Sequence, residues 1–133
     1  MTQKTKLLIV NNISCADFTP IFDRLRFNKV EYEICEDVDD LEQALSSGEY
    51  TGVVADLETR LYQFDEESGR DLETNTCSGI KNVTSICQKK NVQVVFVFKV
   101  SNAVIEQLTC DLKVGYVDYL KFDAKNLQNN FIT

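Results

Sequence analysis

The chain has no histidine, one proline, five glycines and only 14 basic residues against 21 acidic ones. Each shortage excludes something. Without histidine, a zinc site would need cysteines alone or cysteines with carboxylates. The five cysteines (Cys15, Cys35, Cys77, Cys87, Cys110) form no C-x-x-C pair. Their odd number and scatter read as free thiols in a reducing compartment. The shortage of bases, for a net charge of −7, argues against nucleic-acid binding, which needs clustered Lys and Arg on phosphates. Long apolar runs are also missing. Met-Thr-Gln-Lys-Thr-Lys leads into four apolar residues, too few for a signal peptide or a membrane span. The N-x-S/T matches at Asn12 and Asn82 are then chance, and a cytoplasmic location is expected. No Pro/Gly/Ser stretch marks a linker and no repeat is present, so residues 1–133 read as one domain.

What the chain does have is an alternation of apolar runs and helical periodicities. Leu7–Val10 is wholly apolar, as a strand buried on both faces would be. Phe18, Ile21, Phe22 and Leu25 follow at helical spacing, with Asp17 as candidate cap and Pro20 tolerated in the first turn. Val30, Tyr32 and Ile34 alternate with Glu31 and Glu33, the pattern of a half-exposed edge strand. Asp39 or Asp40 can cap a helix carrying Leu41, Ala44 and Leu45, with Gly48 as its left-handed exit. A third strand, Thr51-Gly-Val-Val-Ala-Asp, ends on Asp56.

Ile80, Val83 and Cys87 then share a helical face, and Lys89 and Lys90 stand at its negative end. Val92–Val100 is the longest apolar run and reads as a central strand. Val104, Ile105, Leu108 and Leu112 form the next helix, closed by Gly115. Tyr116–Leu120 is the last strand, and Leu127 with Phe131 begins a fifth helix. Five strands alternating with helices predict a doubly wound α/β parallel sheet in the order 2-1-3-4-5, flavodoxin-like. Glu58–Ser78 is long for a strand-to-helix connection and rich in acids, so it is expected to be mobile or to protrude over the C-terminal edge of the sheet.

A carboxylate at the end of a central parallel strand sits where open α/β sheets bind ligands. Together with Lys6-Leu-Leu-Ile-Val-Asn-Asn, Val92-Gln-Val-Val-Phe-Val-Phe and Gly115-Tyr-Val-Asp-Tyr-Leu, the Asp56 strand makes the chain resemble the CheY-like receiver domains of two-component response regulators, along essentially its whole length. The resemblance implies a phosphorelay signalling domain with Asp56 as candidate phosphoacceptor. It also implies two acids after the first strand that hold Mg²⁺, a Thr or Ser ending strand four, and a Lys three residues beyond a strand-five aromatic.

The chain has Asn11 and Asn12 in place of the acids and Phe98 in place of the Thr or Ser. Counting from Tyr119, it has Phe122 in place of the Lys, followed by Asp123, with Lys121 one residue early and aimed at the other side of the strand. The site is therefore degenerate, and Phe98 and Phe122 are expected to fill the phosphoryl space. Asp56 is expected to accept hydrogen bonds from backbone amides or from the Asn11 and Asn12 side chains.

The reading that follows is a pseudo-receiver, not an enzyme and with no catalytic residue or cofactor, that works by protein contact. Its partner would be a second copy or an output domain, with no membrane involved. The resemblance places the interaction face on helix four, strand five and helix five, with Glu106, Leu108, Tyr116, Tyr119 and Leu127. The short final helix suggests a chain cut from a longer protein. The alternative is a divergent receiver phosphorylated on Asp56 with help from Lys121, with Asp56 and Glu58 as metal ligands for Mg²⁺. A flavin or nucleotide binder is disfavoured, because Asn11–Asp17 lacks a glycine that would let backbone amides approach a phosphate.

Overall fold

A computed structural model describes residues 6–12, 17–61 and 72–131. Five strands alternate with helices: β1 (Lys6–Val10), α1 (Thr19–Phe27), β2 (Glu31–Cys35), α2 (Leu41–Ser47), β3 (Gly52–Asp56), α3 (Leu72–Lys89), β4 (Gln93–Phe98), α4 (Ala103–Leu112) and β5 (Gly115–Asp118). All pairs are parallel and the order is β2-β1-β3-β4-β5, as the alternation predicts. β1, β3 and β4 carry apolar residues on both faces because both faces are covered. β2 lies at the edge, with Glu31 and Glu33 in solvent and Ile34 40% exposed.

Alternate strand residues feed two cores. Leu8, Val10, Val53, Ala55, Val94 and Phe96 pack against α2, α3 and α4. Leu7, Ile9, Val54, Val95 and Val97 pack against Phe18, Ile21, Phe22 and Leu25 of α1 and against the C-terminal tail.

Several local expectations are corrected. Among the described residues no α-helix forms after Leu127. The tail makes a single 3-10 turn, Leu127–Asn130, because its polar side chains satisfy the backbone in its place. Asp123 accepts from the Lys125 and Asn126 amides, and Asn130 donates to the carbonyls of Asp123 and Leu127. Gly48 leaves α2 in extended backbone. α4 ends on a left-handed Lys113, and Gly115 opens β5. Gly115 is needed for another reason: a Cβ there would lie 2.0 Å from the Asn130 carbonyl oxygen.

Neither Asp17 nor Asp40 makes the expected cap: Asp17 lies one position before the α1 cap, and Asp40 holds the α2 cap position without a side-chain hydrogen bond. Asp17 accepts from Thr19 ahead of α1, and Asp37 accepts from the Asp39 amide to start a 3-10 turn, Val38–Asp40, ahead of α2. The expected long connection is shorter than predicted, since residues 72–78 already belong to α3. Leu61 is buried against Gly79 of that helix. Tyr62, Phe64 and the rest of 62–71 lie outside the described residues.

Candidate functional site

The C-terminal ends of β1, β3, β4 and β5 converge on Asp56, whose residue is fully buried. Its carboxylate is held by neutral donors. The Asn11 amide donates to Oδ2 at 2.8 Å, the Glu58 backbone N–H donates to Oδ1 at 3.0 Å, and the Tyr119 hydroxyl donates to the same Oδ1. Asp56 therefore accepts from a backbone amide and from Asn11, as expected. Asn12 acts through its backbone, donating to Thr59 Oγ1 at 3.1 Å. That hydroxyl also accepts from Asn11 at 3.5 Å and so braces the asparagine against the carboxylate.

Burial pushes the Asp56 carboxyl above its ordinary range, and the three hydrogen bonds oppose that shift only in part. Burial, with the carboxylate as acceptor, also drives the Tyr119 phenol far up, so it stays protonated and donating.

Tyr119 is the residue that sequence reasoning misplaced. It lies just past β5, its ring edge-on to Phe18 at 5.1 Å and 5.6 Å from Lys99 Nζ, and its amide donates to the Phe98 carbonyl. The Arg24 guanidinium of α1 clamps the turn by donating to the carbonyls of Tyr119, Leu120 and Phe122. Tyr119 stands three residues beyond Tyr116, an aromatic of strand five. Counting from Tyr116 rather than from Tyr119 would have found it. Thr59 was missed as well, and its only signal was its place three residues after Asp56.

Phe98 does not stand over Asp56: it turns toward the α4 side and stacks on Tyr116 at 4.1 Å, while Phe122 is buried in the α1-side core, the face on which Tyr119 meets Asp56. The strand pleat sends residues 97 and 98 to opposite faces, which takes Phe98 off the Asp56 side. Lys121 is exposed and the Glu58 side chain accepts from the Lys99 amide at 3.2 Å, so Glu58 meets the Asp56 carboxylate through its backbone amide alone. Of the expected interaction face, Glu106 is exposed, while Leu108, Tyr116 and Leu127 are half-buried. Tyr119 is 4% exposed and belongs to the site.

No protein-family model matches the sequence, and no curated protein matches it. Solved structures do match. The chemotaxis protein CheY4 of Vibrio cholerae superposes with a TM-score of 0.60 at 13% identity, over 96% of this chain and 95% of that one. A response regulator from Thermotoga maritima gives 0.62 at 11% identity, over 96% and 94%. The fold is that of a CheY-like receiver domain. A Burkholderia pseudomallei response regulator, solved with a phosphorylated aspartic acid, a calcium ion and citrate, matches at 13% identity and a TM-score of 0.62, over 98% of this chain and 68% of that one. At such identities the likeness is one of fold.

The receiver fold brings with it the question of a divalent cation. A hard cation wants several anionic oxygens. Here asparagines follow β1, both Asp56 oxygens already accept from the protein, and among the described residues no three acidic or cysteine side chains are grouped to hold an ion. This donor set does not fit Mg²⁺.

Proposed function

We propose that this chain is a receiver-fold signalling module that works through protein contact without aspartyl phosphorylation. The observation that carries the reading is the Tyr119 hydroxyl on Asp56. Phosphoryl transfer to a carboxylate relies on positioned cations that neutralise charge as it develops. In this chain a neutral phenol stands on the acceptor oxygen, and asparagine replaces the expected acids. Asp56 is a structural anchor that ties β1, β3 and the turn after β5 together.

The same reading makes the domain non-enzymatic, without cofactor, and cytoplasmic. Four of its cysteines are free thiols, in keeping with a reducing compartment. Among the described residues no helix is long and apolar enough to cross a membrane. Its partners are proteins, and the acidic surface is unsuited to nucleic acid.

The test is treatment with a small phosphodonor and Mg²⁺ at neutral pH, read by intact-mass spectrometry and by NMR with a beryllium fluoride mimic. Unchanged mass and no shift at Asp56 are expected. An adduct on Asp56 that disappears in Asp56→Asn would establish the alternative, a divergent phosphorylatable receiver.

A further inference from the structure

We propose that the groove between α3 and α4 is a self-association surface, filled by the same groove of a second copy across a two-fold axis that runs along it. The inference rests on the protein-contact reading above and gives it a surface and a partner. The surface expected by resemblance is only partly formed, because among the described residues the tail makes a 3-10 turn in place of an α-helix and Tyr119 is buried. On the other side of α4 a groove of about 480 Å³ opens toward α3, lined by Cys77, Val104 and Leu108. Val104 is 52% exposed there. Lys81 stands on the α3 bank and Asp111 on the α4 bank.

The levels of these residues follow from helix geometry. Asn102 Nδ2 donates to Glu73 Oε2 at 3.0 Å and pins the two helices together at their N-terminal ends. Both helices then return antiparallel to the strands. At 1.5 Å per residue, Lys81 lies about 12 Å below the pin and Asp111 about 13 Å. The opposite charges are thus level with one another on facing banks. Among the described residues no ion pair joins them across the groove. Asp111 accepts from Gln107 on its own helix, and Lys81 is exposed.

A two-fold along the groove lays α3 of one copy on α4 of the other and preserves these levels. Lys81 of each copy then meets Asp111 of the other, and Val104 and Leu108 cover the second copy's Cys77. An axis across the groove at their level would lay α3 on α3 and set like charges against each other. Charge complementarity therefore selects both the partner and the arrangement. A foreign helix would have to match both banks.

The contact is small, so a dissociation constant on the order of 100 μM is expected. Sedimentation velocity under reducing conditions, at loadings from about tenfold below to tenfold above that value, should show a monomer–dimer equilibrium that weakens with added salt. Lys81→Glu and Asp111→Lys should each weaken the dimer by about tenfold or more, and the double exchange should restore it to within about threefold. Both residues are exposed, so the variants fold, and far-UV circular dichroism verifies it. A wild-type chain that stays monomeric throughout, or a dimer whose loss in Lys81→Glu is not repaired by the double exchange, overturns the proposal. The phosphodonor experiment is independent: an adduct on Asp56 would end the reading above without altering the sedimentation result.

Discussion

The two faces of the sheet are covered by different means. On one, three helices supply mainly aliphatic side chains, Leu41, Leu45, Ile80, Val83 and Ile105 among them, at helical spacing. On the other, α1 stands beside a tail with no α-helical turn, and the covering residues are largely aromatic: Phe18, Phe22, Tyr119, Phe122 and Phe131. An irregular segment repeats no apolar stripe, so it covers area with a few large rings. Phe131 reaches Gly52, where a Cβ would lie 2.5 Å from its ring, and the Asn130 carbonyl fills the notch at Gly115. The chemistry of the site is tied to this. Tyr119 is at once a member of the aromatic core and the donor to Asp56, so one side chain serves both the site and the α1-side core.

The comparison predicts that an irregular tail can contribute as much as a helix. Phe131→Ala should cost about 3 kcal/mol, close to Ile80→Ala on the opposite face, as for other large buried truncations. Denaturant melts of both variants would check this. A loss under about 1 kcal/mol for Phe131→Ala would make the tail an accessory.

Gly115→Ala should cost about 2 kcal/mol, since the new methyl meets backbone rather than a flexible side chain. Its amide spectrum should show shifts centred on Asn130. Shifts confined to β5 would mean that the tail does not seat there.

Tyr119→Phe keeps the ring and removes the hydroxyl, which isolates the site from the core. A loss of about 1.5 kcal/mol at neutral pH is expected, the worth of a hydrogen bond to a charged group. The Asp56 carboxyl should move further upward, measurable by carbon NMR of its side chain. An unmoved carboxyl would separate Tyr119 from the site.

The smallest effect lies in pH dependence. Because burial raises the Asp56 pKa above 3.8, the native state keeps its proton to higher pH than the unfolded chain does. The contribution of Asp56 to stability is therefore fullest below 3.8 and is lost as pH rises through the folded pKa. Asp56→Asn should gain on the wild type over that window and hold its gain above it. Urea titrations of both proteins at several pH values give the slope. The reverse sign would show that the three hydrogen bonds outweigh burial.

Much of the architecture was legible in the sequence because strand and helix periodicities are local. Leu7–Val10 and Val92–Phe98 read as two-sided strands, the alternation of Glu31 and Glu33 with Tyr32 and Ile34 read as an edge, and Asp56 read as a strand end. Asparagine stands at 11 and 12, where the resemblance implies acids. Where the chain left regular structure, side chains of distant sequence position made the decision. Leu127 and Phe131 have helical spacing, yet Asp123 and Asn130 capture the backbone and only a 3-10 turn forms. Phe98 has the bulk to block a pocket, yet the pleat carries it to the face opposite Asp56, where it stacks on Tyr116.

The sequence by itself determined the alternation of strands and helices, and with it the strand order, since these follow from periods of two and about 3.6 residues. Tertiary structure alone decided what meets the Asp56 carboxylate. Its donors come from just past β1, from its own turn and from beyond β5, separated by 45, 2 and 63 positions. Only the closing of the sheet, with Arg24 of α1 holding the last turn by its carbonyls, brings them to one carboxylate.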